Sequence, residues 1–252
     1  MVEQYPFASW FEALERRHLS TLTFAEVRRS VQSLSSLYVE RRARLNTGSA
    51  LDGAGKRAAF ALFFGPLHFL LVREIVRALN ASVSSKAAIL DLGCGTGPAG
   101  AAWAIEKNSA AEVTGVDLNA WVLEECRWTY WQLGIRGKTK KADIGGCRIP
   151  ARSAVVAAFT VNELAPEERS LFLEELLRIH AKGSPVLIVE PIARKLTTWW
   201  DEWAHHFTAA GGRQDEWRFR VPLPDRLALM DRAAGLDHRE LTGRSLWLPG
   251  LP

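Results

Sequence analysis

An α/β fold, with a mostly parallel seven-stranded sheet ending in an antiparallel hairpin and an N-terminal helical subdomain before it, is predicted by three observations. From residue 86 onward, short apolar runs of strand length alternate with longer helical stretches, and parallel strands need such crossovers. Before residue 86 only helical periods occur. Beyond Pro191 the alternation gives way to shorter segments, the last two separated by Thr242-Gly243. The expected division is therefore 1–85 for the helical subdomain, as a lid or substrate-binding part, and 86–252 for the sheet domain.

Within the first part, Thr23-Phe24-Ala25-Glu26 reads as a helix start, with Thr23 as N-cap and Glu26 three positions on. Val27, Val31, Leu34 and Tyr38 then recur on one face of a 3.6-residue period. Residues 45–57, rich in glycine and small polar side chains, read as a loop. Ala58 to Leu79 reads as an apolar helix that Gly65-Pro66 breaks or kinks, because proline lacks the N–H. In the second part the expected strands are Ala87–Asp91, Glu112–Val116, Thr139–Ala142, Ala154–Phe159 and Pro185–Glu190, with helices near 98–107, 119–133 and 166–181. A Trp-rich helix (195–210), the segment Glu216–Val221 and a helix from Pro224 to Ala234 follow. Leu236–Leu241 and Arg244–Leu248 are expected to pair as the closing hairpin.

The most informative stretch is ILDLGCGTG, residues 89–97. A buried strand closes at Asp91, and Gly93, Cys94, Gly95 and Gly97 turn the chain into a helix that starts near Pro98. Glycine is needed where φ is positive or where a ligand must approach closer than a Cβ allows. Strand, glycine turn and helix N-terminus together make a nucleotide cradle. Two cofactors compete for it. Gly95-x-Gly97-x-x-Gly100 spells a dinucleotide fingerprint, weak when it stands alone. Asp91 instead suits a cofactor with a positively charged methionine end, since a carboxylate there repels the pyrophosphate of NAD.

In a doubly wound sheet the ligand lies outside the carboxyl ends of the strands, so the strand ends spell out the site. The second strand ends at Asp117, which can accept both ribose hydroxyls, beside Leu118 to line adenine. The third ends at Asp143-Ile144, an acceptor for the exocyclic amine and an apolar surface for the ring. Aspartate is also common at helix caps and turns, so each has a structural reading as well. The fourth runs into Thr160, Val161, Asn162 and Glu163. Thr160 belongs with the cofactor, while Asn162 and Glu163 are the candidate catalytic groups, or else they cap the next helix.

Composition narrows the setting. The net charge is +4, and all of the excess lies in residues 1–80, with 11 Lys and Arg against 7 Asp and Glu. Arg16-Arg17, Arg28-Arg29, Arg41-Arg42 and Arg44 supply most of it, either as a phosphate-binding face or as solvated helix surface. A second basic run, Arg136 to Lys141, has the same two readings. Three cysteines without CxxC spacing and six histidines without HExxH suggest neither a disulfide framework nor a metal site. No uninterrupted apolar run reaches the ~18 residues of a membrane span, and the charged, aromatic N-terminus lacks a signal-peptide core, so the chain reads as cytoplasmic. Trp199, Trp203 and Phe207, at helical spacing, read as core, and Trp121, Trp128 and Trp131 lie on another helix.

The G-x-G-x-G run directly after Asp-Leu, the acidic strand ends and the closing hairpin together resemble class I S-adenosylmethionine-dependent methyltransferases over residues 86–252. The resemblance implies a Rossmann-like methyltransferase fold and S-adenosylmethionine as cofactor. A longer likeness runs through VRRSVQSLSSLYVERR, GKRAAFALFFGP, FTVNEL and LIVEP. These segments resemble the methyltransferase-like family that assists assembly of the mitochondrial ribosomal small subunit, and its bacterial relatives, although the cysteine cluster that many members use for an iron–sulfur centre is missing. That resemblance implies ribosomal RNA as partner. A small-molecule O- or N-methyltransferase with an aromatic pocket under a helical lid, and a non-catalytic cofactor-binding assembly module, are the competing expectations.

Overall fold

The structure, a computed structural model, describes residues 5–40, 51–81, 88–107, 111–145, 147–193, 197–236 and 238–251. In chain order the helices are α1 (Tyr5–His18), α2 (Phe24–Glu40), α3 (Ala54–Ala59), α4 (Gly65–Ala78), α5 (Pro98–Glu106), α6 (Ala120–Gln132), α7 (Pro166–His180), α8 (Trp200–Ala209) and α9 (Asp225–Ala233). The strands are β1 (Ile89–Leu92), β2 (Val113–Asp117), β3 (Gly137–Lys141), β4 (Ala154–Ala158), β5 (Val186–Glu190), β6 (Arg213–Phe219) and β7 (Leu241–Leu248). The chain forms two compact units, Met1–Leu67 with Arg220–Leu241, and His68–Phe219 with Thr242–Pro252. The cut at Leu67 lies upstream of the expected 85/86 boundary, and α9 belongs to the first unit although it falls far along the chain.

The first unit is helical. Thr23 caps α2 as its sequence predicts: its amide donates to Glu26 Oε2 at 2.7 Å, and the Glu26 amide donates back to Thr23 Oγ1 at 3.3 Å. Val27, Val31 and Leu34 are fully buried on one face, while the Tyr38 side chain lies outside the described residues. Of the expected 45–57 loop, residues 45–50 are outside the described residues, and α3 already begins at Ala54. The glycines there allow close helix packing: a Cβ on Gly55 would sit 2.6 Å from Ser30 Oγ on α2.

Of the break or kink expected at Gly65-Pro66, the break does not occur. Instead Phe60–Phe64 widens into a π-helical turn in which the Gly65 amide donates to Phe60 O, five residues back. Widening just before Pro66 accommodates the missing donor without ending the helix, a common origin of π turns. The stretch Ala54–Ala78 is thus one helix of 25 residues, long and apolar enough by length and composition to cross a membrane. Yet 78% of its most apolar window is buried inside the protein, as expected of a core helix.

The second unit holds the seven-stranded sheet, in the order β3-β2-β1-β4-β5-β7-β6. β1 pairs in parallel with β2 and β4, β2 with β3, and β4 with β5, while β7 runs antiparallel to β5. The sequence is right about the ending but wrong about its segments. Leu236 and the described residues 238–240 are not strand, and β7 runs unbroken through Thr242-Gly243 and neighbours β6. Gly243 is there for room, not for a turn: a Cβ would meet Leu71 Cδ2 on α4 at 2.9 Å. One core joins Leu92, Val155, Ile188 and Leu246 from the strands to Phe172 and Leu176 of α7 and to Trp203 and Phe207 of α8. The tryptophans of α8 are core, as their spacing suggests, whereas Trp131 of α6 is 73% exposed.

Candidate active site

The carboxyl ends of β1, β2 and β4 meet around the glycine turn. Gly93, Gly95 and Gly97 all have positive φ, at 68°, 50° and 85°. At Gly93 a side chain is doubly excluded, because a Cβ would lie 2.2 Å from Thr160 Cγ2 at the end of β4. The Thr160 hydroxyl shares its proton between Gly93 O (3.2 Å) and Ala158 O (3.1 Å), which ties the turn to β4. The amides of Gly93 and Cys94 donate to Val116 O at 2.8 and 3.0 Å, tying it to β2 as well. The turn is therefore pinned on both flanks, and bare backbone forms its wall.

Asp91, at 1% exposure, accepts from the Gly100 amide at the start of α5 through Oδ2 (2.8 Å). Its other oxygen, Oδ1, is buried with no hydrogen-bond partner of normal geometry. Burial pushes its carboxyl up to about 7; the Gly100 bond opposes this rise, the nearby Asp117 charge adds to it, and the neighbouring Tyr130 hydroxyl lowers it slightly. A buried carboxylate with one oxygen left without a geometric hydrogen bond fits a cationic group better than a second anion.

Asp117 is oriented through both oxygens. Oδ2 accepts from the Gly95 amide at 3.1 Å and Oδ1 from the Asn119 amide at 2.9 Å. Each oxygen keeps a lone pair for a hydroxyl, so the carboxylate is aimed before any ligand arrives. Burial raises its pKa, and these amides oppose the rise. Leu118 beside it is 59% exposed. Asp143, just past β3, is exposed and turns onto the Gly145 amide at 3.0 Å, while Ile144 is buried in the core cluster.

Cys94 packs its thiol beneath the turn, not towards its open side. A Cβ on Gly115 would meet Cys126 Sγ at 2.7 Å and Cys94 Sγ at 2.9 Å, and burial pushes the Cys94 thiol well up. Cys94 therefore offers the site its backbone.

Asn162 sits in a short 3-10 turn, Val161–Glu163, and does not cap α7; the α7 N-cap is Ala165, whose amide donates to Glu168 Oε2 at 2.9 Å. The Asn162 side chain is held from two sides: its Oδ1 accepts from Trp199 Nε1 at 2.9 Å, and its Nδ2 donates to Glu190 Oε2. Glu163 is exposed. Glu190 and Trp199 were not among the sequence candidates. Glu190 was readable, since it ends β5 as Asp117 ends β2, but Trp199 carried no signal apart from its neighbours. Phe159 and His68 were missed too: Phe159 has φ of 60° at the end of β4, and His68 stacks on it.

Residues 89–183 match the family described as a methyltransferase domain. No curated protein has a significantly similar sequence. Among solved structures, a Nostoc punctiforme protein assigned as an O-methyltransferase superposes with a TM-score of 0.54 at 15% identity, over 85% of this chain and 69% of that one. The pyocyanin biosynthetic protein PhzM superposes with a TM-score of 0.52 at 15% identity, over 80% of this chain and 59% of that one. At such identities the likeness is one of fold. The matched segment begins with β1 and contains the pinned glycine turn, the oriented Asp117 and the Asn162 turn, so this part of the chain is similar to a methyltransferase domain.

Proposed function

We propose that the methyl acceptor is ribosomal RNA. The observation that carries this reading is the location of the charge excess, which lies wholly within residues 1–80, while the remainder of the chain balances. Of those cations, Arg16 and Arg17 on α1 and Arg28 and Arg29 on α2 are exposed. A helical unit with exposed, arginine-rich faces suits a phosphate backbone, for which arginine offers bidentate donors. The resemblance of residues 27–42, 55–66, 159–164 and 187–191 to the ribosome-assembly methyltransferase-like family supports the same acceptor.

The cofactor supplies an electrophilic methyl group for an in-line displacement, in which alignment contributes much of the rate. Asp91, Gly93, Cys94, Gly95 and Gly97 would hold its amino-acid end and Asp117 its ribose, with Leu118, Asp143 and Ile144 at the adenine and Thr160 fixing the turn. Asn162, fastened by Trp199 and Glu190, would orient the acceptor with its remaining donor and acceptor capacity. Glu163, exposed in the same turn, would be the carboxylate that takes a proton.

The test is transfer of labelled methyl groups from S-adenosylmethionine to protein-free small-subunit ribosomal RNA by the full chain. Label in the RNA, declining steeply as salt rises, is the expected result. Label only in small phenols or amines would favour the small-molecule reading. RNA binding with no transfer to any acceptor would favour an assembly module.

A further inference from the structure

We propose that the free edge of the sheet, strand β3, is a track for single-stranded RNA that leads to the cofactor crevice, an inference that rests on the RNA reading above. β3 lies at one end of the strand order, so among the described residues its outer edge has no sheet partner. Four of its five residues are exposed, including Lys138, Lys140 and Lys141. With Arg127 and Arg136, the run from 127 to 142 carries five cations and no carboxylate. Lys138 is partly engaged by Glu112, leaving Lys140 and Lys141 as the principal cations of the strand. At the far end of the same stretch, Trp131 on α6 is 73% exposed, a large aromatic face in water.

Charge and geometry both favour RNA here. Phosphates complement a run of unbalanced lysines, and an exposed indole offers a stacking face to an unpaired base, the combination that single-strand binders use. The track also has a direction. Lys141 is the register partner of Asp117, whose carboxylate is aimed by Gly95 of the cofactor turn. A strand of five residues spans about 13 Å, so RNA stacked on Trp131 and following the lysines arrives at the carboxyl edge of the sheet, where methyl transfer takes place.

Edge lysines have another use: charge on an open edge deters strand-to-strand aggregation. The two roles make opposite predictions for charge reversal. A guard works equally well as glutamate, whereas a phosphate contact becomes repulsive.

The experiment measures binding of a fluorescein-labelled 20-nucleotide polyuridylate to the full chain over a range of salt. The double variant Lys140→Glu/Lys141→Glu should keep the parent's oligomeric state and bind S-adenosylhomocysteine as the parent does, yet lose at least tenfold in RNA affinity. Its salt slope should fall by about 1.4, the share of two single-strand phosphate contacts. Trp131→Ala should lose roughly fivefold to a hundredfold, and Lys182→Glu, on a distant exposed turn, should lose little. If the parent binds RNA and the edge variants bind it equally well, the track is overturned while the RNA acceptor stands. If the parent shows no salt-dependent RNA binding, both readings fall.

Discussion

His68 lies flat on Phe159, with ring centroids 3.8 Å apart and planes inclined by 16°. The pair joins α4 to the end of β4, and Phe159 is held there in the left-handed region, at φ of 60°. Such a conformation costs a non-glycine residue about 1–3 kcal/mol and persists only where its surroundings enforce it. Burial also pushes the His68 imidazole down from 6.5 to about 3. The unfolded chain therefore takes up this proton before the folded chain does. Stability from this group is complete above 6.5 and falls as pH drops towards 3, by up to about 1.4 kcal/mol per pH unit. His68→Gln should flatten this acid limb, which urea midpoints measured between pH 4.5 and 7 will show. An acid limb as steep as the parent's would mean that His68 is not the group responsible.

Asp91 has the opposite sign. Its folded pKa, raised from 3.8 to about 7, makes its stability complete below 3.8 and lost as pH rises towards 7. A cationic methionine end beside its orphaned oxygen would draw the proton off. Binding of S-adenosylhomocysteine near pH 7 should then release a proton and tighten between pH 6 and 8. Calorimetry in two buffers of different ionisation enthalpy reads this directly. Asp91→Asn should abolish the buffer dependence and weaken binding, and an unchanged buffer dependence in the variant would assign the proton elsewhere.

Asn162 makes one hydrogen bond to Trp199 and another to Glu190, so it is immobilised without contributing to the cofactor turn. Trp199→Phe keeps the aromatic packing but removes the indole donor. The expected outcome is a drop in kcat of about tenfold, on the order of 1.4 kcal/mol in the transition state, with S-adenosylhomocysteine affinity unchanged. Equal losses in turnover and cofactor affinity would instead make the tryptophan a general structural support.

The pattern of what could be read in the sequence is physical. Strands β4 and β5 announce themselves because both faces are covered, so AVVAA and VLIV are continuously apolar, and β1 does so around the one carboxylate of Asp91. The capping box at Thr23 and Glu26 is equally plain, because it depends on neighbours three residues apart. Two of the differences involve a glycine whose purpose is a distant partner, and one a proline that its own helix accommodates. Gly243 looked like a turn but makes room for Leu71, and Gly55 looked like a loop but makes room for Ser30. Pro66 looked like a break, although the π turn at Phe60–Phe64 absorbs it. In the site, residues at strand ends can be found by position alone, whereas Trp199, just ahead of α8, meets Asn162 and His68 on α4 meets Phe159 through contacts that no local pattern records.

Gly93 provides the sharpest test of the cofactor turn. Two independent costs oppose any side chain there: φ of 68°, and the contact with Thr160 at 2.2 Å. Gly134 shares the first cost, with φ of 67°, but has open space around it. Gly134→Ala should therefore cost only the backbone strain, about 1–2 kcal/mol, and leave cofactor binding intact. Gly93→Ala should cost more and abolish binding, because the turn must tear away from Thr160 to admit the methyl group. Thr160→Ala in the Gly93→Ala background removes the Cγ2 and hydroxyl contacts at 2.2 and 2.4 Å but retains a Cβ contact at 2.8 Å. That second change should recover part of the stability and little of the binding, since the hydroxyl bond to Gly93 O goes with it. Thermal midpoints and S-adenosylhomocysteine titrations of the three variants and the parent separate strain from collision. Equal losses for Gly93→Ala and Gly134→Ala would show that Thr160 does not clamp the turn.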